Sequence, residues 1–223
     1  MFIYSILPNT VNNATNSYNL SSIISKGTTP TTVGAEFESE GVRFLKAENI
    51  LESGVSNHPE NYISIDTHNI LSRSALQEGD VLVVIAGATT GKSAVLNQDL
   101  LPANTNQAIS FIRLKDKGLS SYIKLWLDTI FIRTLILLNS VQSAQPNLSM
   151  EDLGNIPILI PPYEELMSIT IFLNRETTKL DTLIAEAQRA ITLLQERRTA
   201  LISAAVTGKI DVRSLVSDKL AVE

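Results

Sequence analysis

The chain has 223 residues, of which 44% are apolar, and no cysteine. That is enough apolar material for one large domain or two small units with real cores. It excludes disulfides, thiolate metal sites and cysteine nucleophiles, and a cytoplasmic setting is expected. The net charge of −5 excludes a protein that holds nucleic acid by bulk charge alone. Divided at Asn155, the chain carries 10 basic and 14 acidic residues before that point and 8 and 9 after it. Neither part is basic, so DNA binding would need a local basic patch or a basic partner.

The opening Met1 to Leu7 is apolar, but too short and without the basic start of a leader. Short β-rich runs bounded by turn residues then predict strands over 42–45, 62–65, 80–86 and 107–114. His58 and His68 lie in polar stretches without a second ligand at metal spacing, so no metal site is expected. A single helix is expected over 120–138, apolar on most faces and hence buried. Lys124, Asp128 and Arg133 make it a poor membrane span.

Gly87-Ala88-Thr89-Thr90-Gly91-Lys92-Ser93, after the strand at 80–86, looks like a phosphate loop. A Walker A loop needs four residues between its glycines and a helix immediately after. Here three separate them, and Ala94 to Leu96 reads as a strand. A hairpin turn and a loop aimed at DNA are the better readings. Pro161-Pro162-Tyr163 matches part of an adenine methyltransferase motif, but Ile160 stands where an amide or carboxylate must hold the target amino group. No catalytic constellation emerges, and the chain is expected not to be an enzyme.

A strand at 156–160 ends at Pro161-Pro162, and a helix is expected over about 164–206, with Glu164-Glu165 in its first turn. Leu173, Leu180, Ala187, Leu194 and Leu201 recur every seven residues, and Ile184, Ile191 and Ala205 fall four after three of them. Such a stripe on a lone helix seeks another helix. The first part offers none of matching length, so Leu173, Leu180, Ile184, Ile191, Leu194 and Leu201 are expected to pair two chains. The expected organisation is α+β: a mixed unit over 1–155, then 156–223 dominated by the long helix in a coiled coil.

Ile156-Pro157-Ile158-Leu159-Ile160-Pro161-Pro162, residues 172–181 and residues 196–213 carry a resemblance. They are similar to the spacer helix of specificity subunits in type I restriction-modification systems. The first part resembles that family's target-recognition domains more loosely, through residues 25–30, 79–93, 104–108 and 145–149. The resemblance implies double-stranded DNA, a modification (methyltransferase) subunit and a restriction subunit as partners, and no membrane. S-adenosylmethionine, ATP and magnesium would belong to those partner subunits, with no cofactor in this chain. The usual subunit has two recognition domains and two long helices; this chain has one of each. A homodimer with antiparallel helices would restore the set and read a gapped palindrome.

Polar and basic residues beside glycine or proline are the expected DNA contacts: Lys26, Thr28, Thr29, Lys46, Thr89, Thr90, Lys92, Ser93, Gln142, Ser143 and Gln145. Asn104, Asn106 and Gln107 are expected to bond loop backbone instead. The rival functions are a coiled-coil dimeric protein-interaction module without DNA binding, an NTPase, and a silent half subunit.

Overall fold

A computed structural model describes residues 2–5, 22–140 and 147–211 of the chain. Backbone pairing and packing divide it into two compact units, 1–170 and 171–223. The globular unit therefore runs beyond the expected limit at 155, because the residues after it are part of its core.

The centre of that unit is a four-stranded antiparallel sheet in the order β2 (Ser22–Lys26), β10 (Ile109–Leu114), β7 (Val81–Val84), β8 (Ser93–Val95). All four residues of β7 are buried, so both faces of the sheet are covered. Side chains alternate along a strand, and Val81, Val83, Ile112 and Leu114 enter one cluster while Leu82, Val84, Ile109 and Phe111 enter another. The first cluster packs on α2 (Ser120–Leu127) and α3 (Ile130–Ser140). The second packs on Leu45, Ile50, Leu76, Ala94, Leu96 and Ala103.

A second sheet has the order β6 (Tyr62–Ile63), β3 (Val42–Leu45), β9 (Ala103–Thr105), with β3 and β9 parallel. Residues 50–51 (β4) and 54–55 (β5) form a small hairpin. The strand expected over 62–65 stops at Ile63. Ser64 instead caps α1 (Ile65–Ile70), its hydroxyl accepting from the Thr67 amide at 3.1 Å.

The expected helix 120–138 is two helices. The Asp128 amide closes on Lys124, and the Thr129 hydroxyl donates back to Trp126 O at 2.8 Å. Side-chain bonding to local backbone ends the first helix without glycine or proline. Burial also falls short of expectation. Ile132 and Ile136 are buried, but Ile130, Phe131, Leu137 and Leu138 are exposed.

The start of the chain closes the unit. β1 (Phe2–Ser5) pairs antiparallel with β11 (Pro157–Ile160), from Phe2 opposite Ile160 to Ser5 opposite Pro157. α2 holds β11 from the side: Tyr122 Oη donates to Leu159 O at 2.5 Å and Trp126 Nε1 to Pro157 O at 2.8 Å. Burial, with the Glu165 carboxylate adding to it, pushes the Tyr122 phenol above its ordinary value near 10. A phenol raised on folding contributes stability that is present below the unfolded value and lost as pH rises through the folded one. Tyr122→Phe is expected to lower stability by about 1 kcal/mol at neutral pH. It should also flatten the alkaline loss of stability above pH ~10. Urea midpoints measured across that range would show both effects.

After α4 (Met150–Gly154) and β11, one helix, α5, runs from Tyr163 to Val206. Its first turns belong to the globular core, where Leu166 and Thr170 are buried. Over the rest, Leu180, Ile184, Ile191, Leu194 and Leu201 are 47–66% exposed in the single chain. Leu173 is half-buried.

Candidate nucleic-acid interface

Antiparallel pairing brings most of the expected contact residues to one end of the four-stranded sheet. Lys26 ends β2 opposite Ser110 near the start of β10. Val84 ends β7 opposite Ile109, and Ser93 begins β8 opposite Val83. The segments 27–30, 85–92 and 106–108 therefore emerge together. Backbone bonds tie them: Gly27 N donates to Ile109 O at 3.1 Å, Thr28 N to Thr105 O at 2.9 Å and Ile85 N to Ala108 O at 2.8 Å. Asn147 joins the same end by bridging Ala86, and Leu148 N donates to Ile85 O at 2.8 Å. Lys46 follows β3, whose last residue Leu45 pairs with Thr105. Gln142, Ser143 and Gln145 lie outside the described residues.

The 85–92 segment is a hairpin loop. Gly87 and Gly91 take left-handed φ values of 103° and 93°, which side chains rarely adopt. Thr90 turns inward, its hydroxyl donating to Gly87 O at 2.7 Å, while Lys92 N donates to Thr89 O at 3.1 Å. The next element is strand β8, not a helix, so the amide cradle of a phosphate loop is not formed. Lys92 and the exposed Lys26 have no ion-pair partner among the described residues. Lys46 is held differently: Nζ donates to Asn61 Oδ1 at 2.6 Å and lies 4.5 Å from the Phe37 ring centre. Asn61 and Phe37 carry no motif in the sequence. The pairing of β3 beside β6 places Asn61 there, and the bridge from Glu38 to Tyr62 places Phe37.

Ser93 departs from expectation. It is 1% exposed, and its hydroxyl donates to Asp128 Oδ1 at 3.1 Å, so it faces protein rather than a surface. Asp128 also receives Lys124 Nζ at 2.7 Å and Arg133 Nη2 at 3.1 Å, and Arg133 Nη1 reaches Glu52 Oε1 at 2.9 Å. The Arg133 hydrogen bond and charge hold the Glu52 carboxyl below the usual carboxylate value, with Lys92 and Lys124 adding to the field. The Glu52 hydrogen bond, in turn, raises the Arg133 guanidinium further, against burial. This network fastens the root of the hairpin loop to α2, α3 and the β4–β5 turn.

Asn104 and Asn106 bond structure as expected. Asn104 is buried, donating to Leu71 O at 3.0 Å and Ser74 Oγ at 3.2 Å, with His68 Nδ1 on its Oδ1. Asn106 Oδ1 accepts from Ala108 N at 3.1 Å. Gln107 does not follow them: it is exposed, and its Oε1 accepts from the Thr29 hydroxyl.

The family model described as the type I restriction modification DNA specificity domain matches residues 14–193. The chain belongs to that family. Two solved structures share the fold of this specificity domain. One comes from work on complex assembly and conformational transition of the type I R-M system, with 19% identity and a TM-score of 0.60 over 82% of this chain. The other is the HsdS subunit from Thermoanaerobacter tengcongensis, with 20% identity and a TM-score of 0.52 over 73% of this chain. The specificity domain described here spans 43% and 36% of the length of those two proteins. No curated protein sequence matches the chain. Among the described residues no helix is long and apolar enough to cross a membrane.

The close approach of segments 27–30 and 105–109 makes a prediction about this end of the sheet. A Cβ on Gly27 would lie 2.1 Å from Thr105 O and 2.3 Å from Asn106 O, both rigid backbone atoms. Gly27→Ala must push the two segments apart. The expected cost is roughly 1–3 kcal/mol of stability, the range for overpacking a filled site. Amide exchange should speed up in residues 105–109 and leave α2 unchanged.

Proposed function

We propose that this chain is a non-catalytic DNA-recognition subunit of a type I restriction-modification complex. It chooses the sequence at which a modification subunit methylates adenine and a restriction subunit cleaves. The convergence of segments 27–30, 85–92 and 106–108 at one sheet end, in a domain of the specificity family, supports this reading most directly. Lys26 and Lys92 give that end unpaired cations for phosphate. The Thr89 hydroxyl beside them suits a base edge. An acidic chain then binds DNA through a local patch and through its partners, rather than through net charge.

S-adenosylmethionine, ATP and magnesium act on the partner subunits in this proposal, and the setting is the cytoplasm. The exposed apolar stripe of α5 supports pairing with a second copy. An antiparallel pair has a two-fold axis, so two identical readers address a palindrome with a gap. Mapping methylated adenines across the host genome, with and without this gene, tests the reading. Loss of a gapped palindromic motif on deletion supports it. Loss of a gapped asymmetric motif overturns the homodimer in favour of two different half subunits. An unchanged methylation map overturns the reading and leaves a silent chain or an interaction module.

A further inference from the structure

The pairing of Thr29 with Gln107 joins two segments that are 78 residues apart in the chain. Both segments are held by hydrogen bonds. Residues 106–108 are held by the Asn106 side chain on Ala108 N, by Ile109 N on Asn106 O at 3.2 Å, and by Ile85 N on Ala108 O. Residues 27–29 are held by Gly27 N on Ile109 O and Thr28 N on Thr105 O. Thr29 stands before a 3-10 turn at Pro30–Val33, but its hydroxyl makes no cap bond to that turn. It donates to Gln107 Oε1 instead.

This contact fixes which end of the Gln107 amide faces out. The carbonyl end is pinned to Thr29, and the amide Nε2 has no partner among the described residues. The exposed Lys26 ammonium and the Thr28 hydroxyl, on the neighbouring segment, also lack partners among the described residues. The result is a set of hydrogen-bond donors, one of them charged, on two segments bonded to each other. Donors on bonded segments that also carry a cation match an anion with several acceptor oxygens. An adenine edge would need both ends of the Gln107 amide, and Thr29 already occupies one of the two lone pairs of its carbonyl oxygen.

We infer that Gln107, oriented by Thr29, donates to a DNA backbone phosphate together with Lys26 and Thr28. Gln107 thereby fixes the register of the domain on the duplex without reading a base. Thr29 is a positioning residue whose hydroxyl is spent on Gln107, and its own contact with DNA is given up. The inference rests on the DNA-recognition reading. It extends that reading to a residue whose sequence context pointed to backbone bonding alone.

The test uses the full chain with its modification subunit and a labelled duplex pool of randomised sequence. Selection with the wild type first yields its motif; failure of the wild type to select any motif overturns the DNA-recognition reading itself. Given a motif, Gln107→Ala and Thr29→Val should each weaken binding roughly 10-fold, the worth of a hydrogen bond to a charged group. The weakening should be equal on the motif and on unselected duplexes, with the selected motif unchanged. The double variant should be no weaker than either single one, because the two residues act as a unit. Thr29→Ser should restore binding. Lys26→Ala should lower the slope of log affinity on log salt by about 1. A changed motif in Gln107→Ala shows base reading and overturns the inference, as does wild-type affinity in that variant. Additive losses overturn the role of Thr29. Gln107 is exposed, so the alanine variant keeps the fold, and a thermal melt confirms that.

Discussion

In the proposed homodimer, replacing Leu180 and Leu194 with aspartate is expected to separate the two chains and leave each globular unit folded. The two leucines stand two heptads apart on the stripe of α5, and both are exposed in the single chain. Neither belongs to a core cluster of the globular unit. Fully burying a leucine contributes about 1.5–3 kcal/mol. These two are 58% and 63% exposed, so the four in a pair of chains contribute roughly 4–7 kcal/mol. Even the lower figure is a change of more than ~10² in the dissociation constant. An unpaired carboxylate facing an apolar partner raises the cost further. Sedimentation should report one chain's mass, while the thermal transition of the globular unit stays in place. A circular-dichroism melt that loses the whole fold at once would contradict this. A wild-type mass equal to one chain, alone and with the modification subunit, would end the homodimer proposal.

The second large effect belongs to Asp80. Its carboxylate is 1% exposed and receives Arg113 Nε at 2.8 Å, Arg113 Nη2 at 2.6 Å and the Gln77 amide at 2.8 Å. Arg113 Nη2 also donates to Ala75 O at 3.0 Å. The pair thus joins β10 to the turn that opens β7, at the opposite end of the sheet from the candidate interface. Removing one partner of such a pair costs about 3–5 kcal/mol, because the other charge stays behind. In a domain of this size each kcal/mol moves the melting temperature by about 2–4 °C. Asp80→Ala should therefore melt roughly 6–20 °C below the wild type. Replacing both groups with neutral ones of similar volume, Asp80→Asn with Arg113→Met, should cost less than either deletion. A wild-type melting temperature in Asp80→Ala would show that the pair carries no such weight.

Local pattern made much of the fold legible. Branched residues between turn formers mark β3, β7 and β10 to within one or two residues. Pro161-Pro162 with Glu164-Glu165 marks the start of α5 to within one. What escaped depends on bonds between distant residues or on side chains competing with backbone. β1 looks like a short apolar opening until Phe2 to Ser5 find β11, more than 150 residues later. Ile65 continues an apolar alternation, yet the Ser64 cap turns it into a helix. The break at Asp128 has no glycine or proline to announce it. The candidate interface divides in the same way. Residue type beside glycine or proline located the loops. Sheet pairing decided that Lys26, Lys92 and Gln107 share one end and that Ser93 faces inward.

The pairing of β1 with β11 has a consequence for inheritance. Everything between Ser5 and Pro157 leaves and returns at one place, since those two residues are register partners. A segment whose two ends meet on adjacent strands can be exchanged for another without moving what flanks it. Recombination between genes within β1 and within β11 would import a foreign globular segment, provided that it fits β11 and Leu166 in the shared core. The long helix behind it would be unchanged. Under the proposed function, a new target would then be acquired in one crossover pair.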